Sequence, residues 1–262
     1  MMQGVFDAYK KDGTKYYRAS ITFGGKHISL GSFSEEMAAN QAYNEAKDVL
    51  YGRQEIGDYK EGINLDFKKW VSLINFRDNK MYIKTPIYLQ KKYFEYYLSQ
   101  DVALKFDVDD LFYYSNHTIM TRNGYMFVAD YGMQVNILSR YGIKNHAVEG
   151  RDFSFANGDC HDYRYGNVVI INKYHGVLRV EERGRIKYKI KIHIVGDYVV
   201  GLYNTEIEAA IAYNKASDLV KAAGIDKDFP ENYIEEISAI EYASIYSRVN
   251  ISKKIRELAK RY

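Results

Sequence analysis

One strand-like stretch alternates apolar and basic side chains, which would gather positive charge on a single face. Successive side chains of a β-strand point to opposite faces, so residues 186–194 give one apolar and one basic face. The basic face consists of Lys187, Lys189, Lys191 and His193, with Arg183 and Arg185 just before it. Like charges stacked this closely repel one another unless an anion neutralises them. Lysines so placed suit phosphate contacts, and the arginines suit guanine edges.

A second strand of this kind lies near the N-terminus. Its apolar face is formed by Ala19, Ile21 and Phe23. Its opposite, polar face and the turn that follows supply the candidate contacts Arg18, Ser20, Thr22 and Lys26. A polar face on a small sheet is most simply a solvated surface. The lysine-rich strand makes nucleic-acid binding an equal alternative, and the residues alone leave both open.

Other patterns that could do chemistry have simpler explanations. The acidic run 107–110 could be a metal loop, but no glycine-bearing calcium-loop spacing follows it. We therefore expect a short helix with Asp107 as its cap. Cys160 beside His161 could be a thiol nucleophile, but an ordinary cysteine is favoured. Gly24-Gly25-Lys26 is predicted to be a hairpin turn, because the spacing of a phosphate-binding loop is missing.

Both basic and polar strands belong to a pattern that occurs twice. Residues 4–52 give a strand, a longer strand, a turn, a third strand and a helix over 34–50, and this order returns from Gly176. Tyr43-Asn44-x-Ala46-x-Asp48 matches Tyr213-Asn214-x-Ala216-x-Asp218. Such matches indicate duplicated structural units. Alanines at three-and-four spacing let each helix lie close to one sheet face, so the other face is left open.

Composition limits the class of protein. The chain has 262 residues, 47% of them hydrophobic, and a net charge of +3, so overall charge does not identify a nucleic-acid binder. Its one cysteine, Cys160, excludes an internal disulfide and a cysteine-based zinc site, and fits a reducing cytosol. No apolar run is long enough to span a membrane, and the N-terminus lacks the apolar core of a signal peptide. We expect no membrane partner.

The rest of the chain divides into three parts. Polar residues with glycines predict a linker over 53–66, and aromatic residues and short strands fill 67–175. Asn123-Gly124 predicts a tight hairpin turn, whereas residues 93–98 suit a strand or a short helix equally. The tail, 231–262, is predicted to be helical. Its apolar face is Ile234, Ile237, Ile240, Ala243 and Tyr246, and its basic end is Lys253, Lys254, Arg256, Lys260 and Arg261. A solvated helix end is favoured there over a phosphate contact.

Each repeat resembles the ethylene-response-factor (AP-two) type of DNA-binding domain. The first copy matches at Tyr17-Arg18-Ala19, Ile21, Gly25-Lys26, Leu30-Gly31-Ser32-Phe33, Glu36, Ala38-Ala39, Ala42-Tyr43, Ala46 and Gly52. The second matches at Gly176-Val177, Tyr188-Lys189-Ile190, Gly201, Tyr203, Glu206, Glu208-Ala209-Ala210, Ala212-Tyr213-Asn214 and Ala216. The resemblance implies a three-stranded sheet that enters the major groove with the helix behind it. The paired tryptophans of the family are missing, so it implies no base preference.

The centre resembles the HNH homing endonucleases of phages. The similarity lies in Asn157-Gly158-Asp159-x-x-Asp162-x-Arg164-x-x-Asn167, supported by Asn123-Gly124-Tyr125 upstream. The family's metal-binding aspartate and water-activating histidine fall at Ser154 and Phe155, neither of which can do that work. The upstream His-Arg pair falls at Ser139-Arg140, and a further asparagine falls near Gly176. The resemblance therefore implies a degenerate nuclease encoded by a phage and acting in bacterial cytoplasm.

These observations predict an α+β protein. Two small units, each a three-stranded antiparallel sheet plus a helix (1–52 and 176–230), flank a degenerate HNH-like core (67–175), and a helical tail follows. The expected partner of the protein is double-stranded DNA, and we expect no cofactor and no catalytic residue. One alternative is an active nicking endonuclease that uses magnesium and a shifted histidine, His161 or His175. The other is a module that binds a host or phage protein, for which tyrosines exposed within 82–97 would be evidence.

Overall fold

Every sheet in the described part of the chain is built from strands that follow one another in the sequence. The structure is a computed structural model and describes residues 2–225 and 227–258. The strands are β1 (Val5–Tyr9), β2 (Lys15–Phe23), β3 (Lys26–Phe33), β4 (Ile87–Leu89), β5 (Tyr93–Tyr97), β6 (Ala103–Asp107), β7 (Ile119–Arg122), β8 (Tyr125–Asp130), β9 (Met133–Asn136), β10 (Phe153–Phe155), β11 (Val168–Ile170), β12 (Val177–Glu182), β13 (Arg185–His193) and β14 (Asp197–Tyr203). They form four three-stranded sheets and the pair β10-β11.

Helices accompany these antiparallel sheets, so the α+β class is confirmed. They are α1 (Glu36–Tyr51), α2 (Phe67–Asn79), α3 (Leu111–Asn116), α4 (Glu206–Ala222), α5 (Ala239–Arg248) and α6 (Lys253–Leu258). The chain divides into two compact units. The first holds the residues through Ile137 together with Phe155–Val168, and the second holds Leu138–Ser154 together with the residues from Val169 onward. None of the described helices is both long and apolar enough to cross a membrane.

The two repeats fold alike, as their matching sequences predict. In the first, β1-β2-β3 form an antiparallel sheet, and Ala39, Ala42 and Ala46 of α1 are fully buried. In the second, β12-β13-β14 form the same sheet with α4. Thr205 caps α4 by accepting a hydrogen bond from the amide of Glu208 at 3.1 Å. In both repeats the helix covers one face of the sheet, because alanine side chains let it approach closely.

A bulge occurs at the same place in both sheets. The register shifts between Ala19 and Ser20 in the first sheet and between Ile190 and Lys191 in the second. The amide of the residue after each shift donates to the carbonyl of the glycine that immediately precedes the first strand of its sheet. Ser20 donates to Gly4 at 3.0 Å, and Lys191 donates to Gly176 at 2.9 Å. The bulge therefore makes Ser20 structurally equivalent to Lys191, and Arg18 equivalent to Lys189.

The same two glycines contact the helix. Both have positive φ, 75° for Gly4 and 71° for Gly176, which side-chain-bearing residues rarely adopt. A Cβ at Gly4 would overlap the ring of Tyr43, and one at Gly176 would overlap the ring of Tyr213. Each tyrosine ring thus lies directly against bare backbone, which explains why glycine and tyrosine recur together in both copies.

The segment 53–66 is not the linker that its polar sequence predicts. Leu65 is fully buried, and Ile56, Tyr59 and Ile63 pack against the core of the first repeat. The helix α2 joins the same core through residues such as Trp70 and Leu73. The prediction failed because the apolar residues of this segment are isolated among polar ones and follow no helix or strand period.

The structure of residues 67–175 decides between the alternatives that the sequence left open there. Residues 93–97 form strand β5 rather than a helix, with Phe94 and Tyr96 buried in a cluster with Phe106 and Tyr114. The predicted hairpin turn at Asn123-Gly124 joins β7 to β8, with both residues at positive φ. A 3-10 helix starts after Asp107 as expected, but the Asp107 carboxylate accepts the amide of Tyr165 at 2.7 Å instead of capping it.

The tail is helical, but its buried face differs from the predicted one. Ser238 caps α5 by accepting from the amide of Glu241, and this start places Ile245 in the interior and leaves Ile240 85% exposed. The prediction counted helical spacing from Ile234, which precedes the helix, so its face is offset from the buried one. Among the predicted basic residues, Lys253, Lys254 and Arg256 lie on α6, whereas Lys260 and Arg261 lie outside the described residues.

The glycine–tyrosine contact gives a stability prediction. We expect Gly4→Ala to lower the free energy of unfolding by about 2–4 kcal/mol, because strain at positive φ adds to overlap with the Tyr43 ring. The control is Gly13→Ala, at φ 84° with open space around its Cβ, for which about 1 kcal/mol is expected. Chemical denaturation followed by circular dichroism measures both. Equal losses for the two variants would contradict the proposed contact.

Candidate nucleic-acid interface

The open face of the second sheet has a column of basic side chains at its centre. Residues opposite each other in an antiparallel pair share a face, so the register of β12, β13 and β14 defines this surface. Its central column is Arg185, Lys187, Lys189, Lys191 and His193. The opposite face of β13 carries Ile190 and Ile192, both fully buried against α4. The strand therefore has the basic face and the apolar face that its sequence predicts.

Aliphatic side chains flank this basic column on both sides. Lys189 lies between Leu178 of β12 and Leu202 of β14, Lys187 lies beside Val180, and Lys191 lies beside Val199. Val199 and Leu202 are 44% and 45% exposed. Sequence analysis did not single out these four residues, because their place on this face depends on cross-strand register and on the bulge. The surface is thus mixed, with cations in the centre and apolar groups beside them.

Partners within the protein neutralise only part of this charge. The carboxylate of Asp197 accepts a hydrogen bond from His193 at 2.8 Å and lies 3.8 Å from the Lys191 ammonium. The His193 contact holds the pKa of Asp197 below its ordinary value. Lys187 donates to the side chain of Asn204. Within residues 2–225 and 227–258, the Lys189 ammonium has no hydrogen bond or ion pair.

One end of this sheet is a two-stranded ribbon. From Tyr188 onward β13 pairs on both sides, but Arg185 to Lys187 pair with β12 alone. The ribbon ends in the two-residue turn Arg183-Gly184, with both residues at positive φ. Arg183 and Arg185 are exposed there, and neither has an ion pair in the described part of the chain.

The open face of the first sheet is less charged. Arg18 is exposed and lies between Phe6 of β1 and Ser32 of β3, with its guanidinium 5.8 Å from the Tyr16 ring centre. Thr22 is exposed at the other end, with Oγ1 3.4 Å from Nδ1 of His27. Arg18 occupies the position that Lys189 has in the second sheet. Among the described residues it too has no carboxylate partner.

Two predicted contacts of the first sheet do not join this face. Ser20 points toward it but is only 9% exposed, because its short side chain lies on the central strand beside the bulge in β3. Lys26 pairs with Phe23 and therefore lies on the opposite face, with its ammonium 5.0 Å from the centre of the Tyr82 ring. The prediction placed Lys26 by its closeness in sequence, which does not define a face at a hairpin end.

The HNH-like series forms a closed hydrogen-bonded loop. Asp162 is fully buried. Its carboxylate accepts hydrogen bonds from the Arg164 guanidinium at 2.6 and 2.8 Å and from the side-chain amide of Asn157 at 3.0 Å. The hydrogen bonds from Arg164 hold the pKa of Asp162 below its ordinary value. The side chain of Asn167 accepts a hydrogen bond from the backbone amide of Asn157 and donates one to the backbone carbonyl of Asp162, both at 2.8 Å. Asp159 pairs with Lys105 at 2.9 Å.

The positions that align with the catalytic pair of the nucleases have other surroundings. Phe155 is 8% exposed and packs edge-on against Tyr163, with ring centres 5.3 Å apart. Ser154 is half-buried in the same strand, β10. A buried phenylalanine supplies neither a proton acceptor nor a metal ligand.

The two histidines of the nuclease alternative occupy different surroundings. His161 is exposed, with Nδ1 3.7 Å from the Asp159 carboxylate and 3.7 Å from the Cys160 sulfur. His175 is partly buried, and that burial, followed by the nearby Lys144 and His146, lowers the pKa of its imidazole. No group of three or more metal-ligating side chains occurs among the residues that the structure describes.

The tyrosines of 82–97 do not form an exposed surface. Tyr96 is buried, and Tyr82, Tyr88, Tyr93 and Tyr97 are half-buried. Burial raises the pKa of Tyr97, with the Glu95 carboxylate adding to the effect. The feature that would have favoured a protein-binding surface in this region is therefore missing.

Comparisons of the chain with protein-family models, with curated proteins and with solved structures found no significant match. The resemblances to the two families rest on the residues quoted for them.

The closed loop gives a prediction about stability and pH. We expect Asp162→Asn to lower the free energy of unfolding by about 2 kcal/mol at pH 7, because charged hydrogen bonds to Arg164 are lost. The folded pKa of Asp162 is depressed, so its contribution is present above about pH 4 and is lost as pH falls through the folded value. Denaturation curves from pH 7 to pH 2 should therefore fall less steeply for the variant.

Asp159→Asn is the control for this prediction. The Asp159 side chain is 34% exposed, and a pair with Lys105 at that exposure contributes less than about 1 kcal/mol. An Asp162→Asn variant as stable as the unmodified protein would show that the loop does not depend on this carboxylate.

Proposed function

We propose that this protein binds double-stranded DNA through the open faces of both repeats and does not cut it. The observation that carries the proposal is the equivalence of Arg18 and Lys189. Each lies at the centre of an open sheet face, in the same register, with no acidic partner among the described residues. A solvated face has no need for a bare cation at the same point in both copies, whereas a phosphate or a guanine edge does.

The size of the sheets supports this partner. Three strands spaced about 4.8 Å apart place the outer strands about 10 Å from each other. The major groove of B-DNA is about 12 Å wide and admits a helix or a small β-structure. The lysines of the basic column would contact phosphates, while Arg18, Arg183 and Arg185 would reach base edges. This arrangement agrees with the docking that the resemblance to AP-two type domains implies.

The centre supports binding without cleavage. Its HNH-like loop keeps the asparagines and aspartates that hold its shape, while Phe155 and Ser154 stand at the positions of the family's catalytic pair. We infer descent from a phage homing endonuclease that has kept its DNA-binding units and lost its nuclease, acting in the cytoplasm of a bacterial host.

The first test is the selection of bound sequences from a random duplex library at low and high salt. We expect a two-part motif, one part for each repeat, with affinity that falls steeply as salt rises because lysine–phosphate contacts release counterions. No enrichment at either salt would reject DNA binding as the function.

Single substitutions test the two central cations. We expect Lys189→Gln and Arg18→Gln each to weaken binding about tenfold or more, and Lys189→Gln to reduce the slope of log affinity against log salt by about 0.9. Fluorescence anisotropy with the selected duplex, over a series of salt concentrations, measures both quantities.

Lys26→Gln is the matched control, since it removes the same kind of charge from the first repeat but on the helix-covered side. It should leave affinity and salt slope close to those of the unmodified protein. If Lys26→Gln weakened binding as much as Lys189→Gln, the assignment of the open faces would be wrong.

A further inference from the structure

The open face of the second sheet combines two kinds of group. Lysines form its central column, and Leu178, Val180, Val199 and Leu202 flank that column on both outer strands. Nearly half of the Val199 and Leu202 side chains is exposed. Exposed aliphatic groups gain free energy only when an apolar partner covers them, while the lysines require anions within a few ångströms.

Duplex DNA offers both kinds of partner in one groove. Phosphates line the edges of the major groove, and thymine presents a C5-methyl group on its floor. That methyl is the apolar group among the base-pair edges, so aliphatic side chains inserted there favour thymine over the other bases. An acidic protein surface would satisfy the lysines but would leave the four aliphatic side chains against charge.

The spacing on the sheet fits this partner. Leu178 and Leu202 lie one strand away from Lys189 on either side, about 5 Å each. Successive residues on one face of a strand are about 6.8 Å apart, which corresponds to about two base pairs at 3.4 Å each. Val199 and Leu202 lie beside Lys191 and Lys189, one such step apart, and thus face base pairs about two steps apart when the strand follows the groove.

The first sheet provides an internal contrast. At the positions equivalent to Val199 and Leu202 it carries Ser29 and Ser32, which pair with Ser20 and Arg18. Serine hydroxyls can donate or accept a hydrogen bond with any base, so this strand has no preference for a methyl group. The two repeats share a fold but present different chemistry from their third strands.

We propose that the second repeat recognises thymine through the C5-methyl groups of the major groove, with Val199 and Leu202 as specificity-determining residues. This inference rests on the proposed DNA binding and adds the base chemistry that one sheet reads. The lysine column supplies affinity for any duplex. The aliphatic flanks supply the discrimination.

The experiment compares the selected duplex with the same duplex in which deoxyuridine replaces every thymidine, so that only the C5-methyl groups are removed. The full chain should bind the deoxyuridine duplex about fourfold more weakly for each methyl group that it contacts, since one buried carbon contributes about 0.8 kcal/mol. The double variant Val199→Ser/Leu202→Ser copies the serines of the first repeat. It should bind both duplexes with nearly equal affinity.

Ile240→Ser is the control variant, because Ile240 is an exposed aliphatic residue of the same unit on α5, which packs against α4 and not on the open face. It should keep the full preference for thymidine. Thermal unfolding of each variant verifies that the sheet is intact.

Equal affinity of the unmodified protein for the two duplexes would overturn the inference while leaving DNA binding in place. A preference that survives in the double serine variant would overturn it as well, since the methyl groups would then be read elsewhere. Failure to bind either duplex would instead reject the proposed function itself, so the two failures are distinguishable.

Discussion

The contact between a tyrosine ring and a bare glycine backbone fixes the geometry of each repeat. Tyr43 on α1 lies against Gly4, and Tyr213 on α4 lies against Gly176. The carbonyls of these glycines also accept the amides that follow the bulge in the central strand. One small region thus ties the first strand, the central strand and the helix together. Because the register follows from this junction, it also determines which side chains stand at the centre of the open face.

Much of the fold follows from sequence periodicity, but the composition of the open faces does not. Alternation along a single strand was sufficient to separate Ile190 and Ile192 from the lysines, and the repeat gave the helix positions. The face of Lys26 and the place of Leu202 depend on cross-strand register, which one strand does not encode. Segment 53–66 was mistaken for a linker because its buried residues, such as Leu65, follow no period. Tertiary packing alone identifies residues of this kind.

The HNH-like loop holds its shape through hydrogen bonds among its own side chains. Asn157, Asp162, Arg164 and Asn167 satisfy one another through hydrogen bonds that involve neither residue 154 nor residue 155. Buried polar groups are costly when left unpaired, so the members of such a network constrain one another. A phenylalanine at 155 instead adds apolar contact with Tyr163. The hydrogen bonds of the loop are therefore compatible with a phenylalanine at residue 155.

Because residues 180–187 form a two-stranded ribbon, the two ends of the second sheet differ in stiffness. Before Tyr188, residues 185–187 of β13 pair with β12 alone, and two-stranded ribbons twist more strongly than wider sheets. The third strand and the helix stiffen one end of the surface, while the arginine-bearing tip bends and rotates at lower energetic cost. In the proposed complex with DNA, a compliant tip would let cations follow a curved polyanion whose groove width varies along its length, while the stiff end keeps its register.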